Sequence, residues 1–63
     1  MNANRQIEYK RWVNLRHHDV AIEIIDDSGA EIIGRRFGSR VFKNCIDAER
    51  FLNDSNYIET PPS

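Results

Sequence analysis

Val20-Ala21-Ile22-Glu23-Ile24-Ile25 runs straight into Asp26-Asp27-Ser28-Gly29, and this stretch predicts a strand that turns back on itself. Val20, Ile22 and Ile24 alternate with Ala21, Glu23 and Ile25, and period two in β-branched residues marks a half-buried strand. Asp and Ser side chains bond nearby backbone amides, and Gly29 supplies the positive φ that closes a short hairpin. The returning strand is Glu31-Ile32-Ile33-Gly34-Arg35-Arg36-Phe37. Within it, Gly34 predicts a bulge or the close approach of another element. Gly38-Ser39 then bends the chain, and Arg40-Val41-Phe42-Lys43 either continues the strand or forms a short edge piece.

Upstream of the hairpin, residues 7–15 also alternate. Ile7, Tyr9, Val13 and Leu15 fall on one face and Gln6, Glu8, Lys10, Trp12, Asn14 and Arg16 on the other, which predicts a first strand. Arg11 interrupts the apolar face and predicts a strand end, a bulge or an aliphatic stem lying along the core edge. The polar break Arg16-His17-His18-Asp19 connects this strand to the hairpin.

Downstream, Asn44 is a good helix N-cap, and Asp47 and Glu49 lie in the first turn, where they favour the positive end of the helix dipole. The predicted helix is Cys45 to Asp54. At 100° per residue Cys45, Ala48, Phe51 and Leu52 form an apolar stripe wide enough to dock on a sheet. Tyr57 and Ile58 are placed to fold back onto the core. The expected fold class is α+β: a three-stranded antiparallel β-meander with one C-terminal helix packed on one face, in the order β-β-β-α. It forms one domain over 7–58, between a flexible arm (1–6) and a disordered tail (59–63). One helix covers one side of the sheet, so the other side is solvated, meets a second copy or is the working surface.

The 63 residues, 7.4 kDa, make one small domain with a thin core. Hydrophobic residues at 40% and charged residues at 30% exclude a wholly disordered or collagen-like chain. No apolar run reaches the ~18 residues that span a bilayer, and the polar start of the chain carries no signal-peptide pattern, so no membrane partner and a cytoplasmic location are expected. Cys45 is the single cysteine, so the chain has no internal disulfide.

The net charge of −1 conceals a segregated pattern. Residues 1–18 carry +3, residues 19–33 carry −5, residues 34–43 carry +4 and residues 44–63 carry −3. Two basic strands are thereby expected to flank an acidic one. On the first strand Lys10, Trp12 and Arg16 share the face opposite the apolar residues, with Arg35 or Arg36 joining them from the third strand. An aromatic beside cations on an open sheet face suits a protein hot spot or a nucleic-acid contact. The candidate partner-binding residues are therefore Lys10, Trp12, Arg16, Arg35, Arg36 and Arg40. Equally, surface Arg and Lys serve solubility, and Trp12 fits a core position or a dimer interface.

The order of elements from Trp12 to Leu52 is similar to that of other readers of DNA built from a three-stranded sheet and a helix, the plant AP2 domain and the arm-binding domain of lambda-type integrases. The segments that carry the resemblance are Val20-Ala21-Ile22-Glu23-Ile24 and Arg36-Phe37-Gly38-Ser39-Arg40-Val41-Phe42 leading into Asp47-Ala48-Glu49. It is a likeness of element order without a shared motif, and no contact residue is carried over from it.

Chemistry finds little support. His17 and His18, adjacent in an extended segment, point to opposite sides and do not grip one ion. Cys45, near a helix N-terminus, reads better as a buried apolar residue than as an activated thiol. Gly34-Arg35-Arg36-Phe37-Gly38 lacks the spacing of a nucleotide cradle, and Asp26 and Asp27 lack the further ligands of a calcium loop. No nucleophile and base can be paired, so no enzyme, cofactor or metal is expected. The expectation is a small accessory or regulatory interaction protein, of the kind carried by phages, prophages and plasmids, that binds a protein partner through its open sheet face, with Trp12 as anchor. The alternative is a sheet-face DNA-binding protein. Homodimerisation through the open face is a third use of the same surface.

Overall fold

The computed structural model describes residues 6–61. The chain forms β1 (Glu8–Asn14), β2 (Asp19–Asp26), β3 (Gly29–Gly34), β4 (Gly38–Phe42), α1 (Cys45–Asp54) and β5 (Tyr57–Glu59). These make one antiparallel sheet in the order β4-β3-β2-β1-β5. The α+β class with one helix holds, but the sheet has five strands rather than three. Arg35–Phe37 is a turn and not the end of a third strand, so Gly38–Phe42 pairs back as a strand of its own.

The fifth strand arises because α1 carries the chain from the β4 edge across to the opposite edge, where Tyr57–Glu59 pairs with Trp12–Asn14. Glu59 thus belongs to the sheet rather than to a tail. Thr60 extends the anchorage: its amide and its hydroxyl both donate to the Arg11 carbonyl, at 2.8 and 3.0 Å. The expected arm lies outside the described residues except for Gln6, as do residues 62 and 63 of the expected tail.

Local signals act as their chemistry requires. Asp26 Oδ1 accepts from the Ser28 amide and hydroxyl, both at 2.8 Å, which shapes the β2–β3 turn. Gly29 sits at φ 145°, and a Cβ there would lie 2.4 Å from the Phe42 carbonyl oxygen, so no other residue fits. At Gly34 the ring of Phe37 occupies the space a side chain would fill, which is the close approach that the glycine predicted. Asn44 caps α1 by accepting from the Asp47 amide at 2.9 Å, and Asn56, at φ 70°, ends the turn that follows the helix.

Helix and sheet bury Trp12, Ala21, Ala30, Ile32, Ala48, Leu52 and Tyr57 between them, with Ile25, Phe37, Phe42, Cys45 and Phe51 at the margin. The small residues decide where the helix lies. Ala21 stands opposite Gly34 across β2 and β3, Ala30 lies two rows further along the same face beyond Glu23–Ile32, and Ala48 joins them in the core from α1, so the helix can settle close to the sheet. Aromatic rings fill the flanks: Phe37 meets Phe51 edge-on at 5.4 Å and Tyr57 at 5.9 Å, and Phe42 meets Phe51 at 5.5 Å.

Asn14 joins two turns at one end of the sheet. Its buried carboxamide accepts from the amides of Arg16 and His17 and donates to the Ser55 carbonyl. Asn14→Ala leaves these groups to find other partners and is expected to cost about 2 kcal/mol of stability, read from the urea midpoint of unfolding. An unchanged midpoint would show that water replaces the carboxamide without loss.

Candidate functional site

The strand register sorts every sheet residue onto one of two faces. Under α1 lie the rows Trp12–Ala21–Gly34, Lys10–Glu23–Ile32–Arg40 and Glu8–Ile25–Ala30–Phe42. On the uncovered side lie Ile58–Val13–Val20, Arg11–Ile22–Ile33–Ser39 and Tyr9–Ile24–Glu31–Val41. The parity read from the sequence is right, and the face given to the helix is inverted. Trp12, expected on the open face, is 4% exposed beneath the helix. The apolar set Tyr9, Val13 and Leu15, expected inside, faces away from the helix or into the turn.

The covered face contains a polar chain that its composition does not announce. Trp12 Nε1 donates to Glu23 Oε1 at 3.0 Å, and Glu23 itself is 0% exposed. Its second oxygen, Oε2, has no hydrogen-bond partner. Glu49 approaches from α1 and accepts from Lys10 Nζ at 3.3 Å. Burial, the largest cause, pushes the Glu23 carboxyl up to about 7; the negative Glu49 reinforces this, while the Trp12 hydrogen bond and the Lys10 charge oppose it. A proton on Oε2 gives that buried oxygen a hydrogen to share with Glu49. For Lys10, burial alone acts downward, but the hydrogen bond and charge of Glu49, with Glu59 and Glu8, carry its ammonium upward overall.

A second buried pair closes the sheet's other margin. Tyr57 donates its hydroxyl to Asp19 Oδ2 at 2.6 Å. Burial and the adjacent Asp19 carboxylate push the phenol up to about 12, with the charge of Arg36 pulling the other way. Both pairs tie β-strands together beneath or beside the helix, and neither opens onto a cleft.

The six residues expected to form one binding face do not do so. Lys10 and Trp12 are under the helix layer, and Arg40 lies on that side too, its guanidinium 5.2 Å from the Phe51 ring centre. The cations of Lys10 and Arg40 therefore serve the fold's edge. Arg16, Arg35 and Arg36 are exposed in the β1–β2 and β3–β4 turns. Because β1 and β3 run the same way, these two turns emerge at the same end of the sheet and bring the three arginines, with His17 and His18, to one basic end.

The open face is instead apolar. Tyr9 is 66% exposed, Ile33 46%, Val41 79% and Ile58 51%, with Val20, Ile22 and Ile24 along the middle strand. Within the described strands Arg11 is the one cation on this face, and Glu31 and, at the end of β2, Asp26 are its anions. Ser39 Oγ donates to Glu31 Oε2 and fixes that carboxylate. Sequence alternation alone shows which residues share a face. The signal that identifies the covered one is the cluster of small residues, Ala21, Ala30 and Gly34, since a helix docks where side chains leave room.

No helix of the described residues is long and apolar enough to cross a membrane, and no group of three or more His, Cys, Asp or Glu among them is placed to hold a metal ion. Comparison with protein-family models, with curated proteins and with solved structures gives no match.

Proposed function

We propose that the protein is a small non-enzymatic accessory protein that binds another protein chain through the open face of its sheet. The observation that carries this reading is the continuous apolar surface formed by Tyr9, Ile24, Ile22, Ile33, Val41 and Ile58. Monomeric proteins rarely leave apolar patches larger than a few hundred Å² in water, and a patch with an exposed tyrosine at its margin has the composition of a protein interface. Trp12 is not the anchor in this reading. Its place is taken by Tyr9 and Ile33, with Arg11 and Glu31 setting orientation.

A photocrosslinking amino acid at position 9 tests the reading in the cell of origin, with the same probe at Asn53, exposed on α1, as the control. The expected result is a discrete adduct from position 9 that disappears when Ile33→Glu is added. Ile33→Glu is expected to weaken binding by about tenfold or more while leaving the far-UV circular dichroism unchanged. Absence of any adduct from position 9 overturns the reading.

A second reading has its own observation, the basic end formed by Arg16, Arg35 and Arg36. In it the protein holds nucleic acid by its turns rather than by its sheet. Affinity for a short DNA duplex then falls steeply with salt, and Arg35→Ala with Arg36→Ala lowers the slope of log affinity against log salt by about 2. Salt-insensitive binding, or none at low salt, excludes it.

A further inference from the structure

We propose that the outer edge of β4 is a strand-addition site: it takes an extended segment of a partner protein as a sixth, antiparallel strand, with apolar side chains on the open face and an acidic one between them. This rests on the reading of the protein as one that binds another protein chain, and it places the partner's backbone at the edge of the sheet rather than on its face. β4 ends one side of the sheet, with β3 as its one strand neighbour among the described residues. The opposite side ends differently. There β5 is three residues long and runs through Thr60 into Pro61, which has no amide hydrogen to offer a further strand.

The register shows which backbone groups β4 turns outward. The Arg11 carbonyl accepts from the Thr60 amide, so Arg11 directs its backbone polar groups toward β5, and Lys10 and Trp12 direct theirs toward β2. Carried across the sheet, the same alternation joins Lys10 with Glu23, Ile22 with Ile33 and Ile32 with Arg40. Gly38, Arg40 and Phe42 therefore bond inward to β3. Ser39 and Val41 point their N–H and C=O groups away from the sheet, as a template for one more antiparallel strand.

The side chains beside this edge set the chemistry of the added strand. On the open face Val41 is 79% exposed and Ile33, beyond the small Ser39, is 46% exposed. Residues placed opposite Val41 and Ser39 carry their side chains on that face, so apolar ones cover Val41 and reach Ile33. The residue between them falls opposite Arg40 on the helix side, in a pair without backbone hydrogen bonds, where side chains approach most closely. Arg40 lies over the Phe51 ring and Lys43 follows the strand; among the described residues neither has a carboxylate within ion-pair distance. Glu31, the nearest anion in the register, is on the open face with its carboxylate held by Ser39. An acidic side chain opposite Arg40 supplies the missing partner. The same cations act against a second copy, because two β4 edges laid together bring Arg40 and Lys43 twice over and no acid from either strand. In binding of this kind main-chain hydrogen bonds supply affinity and alternate side chains supply specificity, so no broad flat contact is required.

The test is an NMR titration of the isotope-labelled full chain with a short blocked peptide of alternating valine and glutamate, and with the same peptide carrying lysine for glutamate. The expected result is a set of shifts and slowed amide exchange centred on Ser39 and Val41, with the lysine peptide binding more weakly by about fivefold or more. Val41→Pro removes an outward N–H and no bond to β3, so it is expected to abolish binding while the amide spectrum stays dispersed. Arg40→Glu keeps every backbone group and is expected to reverse the preference between the two peptides. No shift at Ser39 and Val41 at about 2 mM peptide, enough to detect a millimolar dissociation constant, overturns the strand-addition site. So does binding that survives Val41→Pro or is indifferent to the charge of the peptide. If such binding shifts Tyr9, Ile22 and Ile58 instead, the edge site is removed and the open face stands as a protein-binding surface. The crosslink from position 9 reports on that face independently of the edge, so the two readings fail separately.

Discussion

Trp12→Ala is expected to unfold the domain. The indole is buried between β1, β2 and α1, and its ring nitrogen is the hydrogen-bond donor to Glu23. Truncating a buried tryptophan costs about 3–5 kcal/mol, and the change also strips a buried carboxyl of its partner. A chain of this length has roughly 3–9 kcal/mol of stability in all, so the loss takes most of it. Far-UV circular dichroism and the spread of amide NMR shifts read the outcome. A dispersed spectrum with an unchanged midpoint would place the indole outside the core and return it to the surface as a candidate anchor.

Glu23→Gln is expected to stabilise the protein at neutral and higher pH, although it removes a charged side chain from the middle of the fold. In the unfolded chain this carboxyl ionises near its ordinary value of 4.5, and in the folded chain it keeps its proton up to about 7. Below 4.5 both states hold the proton, and the group adds no pH dependence. Between 4.5 and 7 the unfolded state releases its proton first, so stability falls as pH rises. Above 7 the loss is complete, at roughly 3 kcal/mol for a shift of this size.

Glutamine keeps an oxygen for Trp12 and offers an amide hydrogen in the direction of Glu49, with no charge to bury. Urea unfolding of the wild type and of Glu23→Gln, each followed by the fluorescence of the single tryptophan, gives the comparison. The two are expected to match near pH 4, with the variant ahead by up to roughly 3 kcal/mol at pH 8. A variant less stable than wild type at pH 8 would mean that the ionised carboxylate is a net support of the fold.

The two residues also mark the limit of what the sequence discloses. The β2–β3 hairpin and α1 are local objects. Alternation, Asp26 with Ser28 and Gly29, and the Asn44 cap specify them within a few positions of themselves, and they appear where the residues place them. The faces are not local. That Trp12 shares a side with Lys10 and Asn14 follows from period two, but which side the helix covers depends on where Ala48 and Leu52 find room. The apolar run of Tyr9, Val13 and Leu15 pointed to the wrong one.

β5 is three residues long, too short to show a period, and its pairing with β1 is set by a helix that crosses the sheet. For the candidate site, Tyr9 was legible as apolar and was assigned to the core, while Ile33 was legible only as a residue of the returning strand. The arginines were legible as cations, but only Arg16, Arg35 and Arg36 share a location. Neither composition nor spacing says that Arg40 bends over Phe51 or that Lys10 turns to Glu49.

The last strand made is a partner of the first. Thr60 reaches back 49 positions to bond Arg11, and β5 pairs with the outer edge of β1. During synthesis from the N-terminus the four-strand meander emerges before its lid and before its fifth strand. Until residue 59 is free of the ribosome, the nascent chain shows an unpaired β1 edge and two uncovered apolar faces at once, which is the state most prone to cross-strand capture by a neighbour.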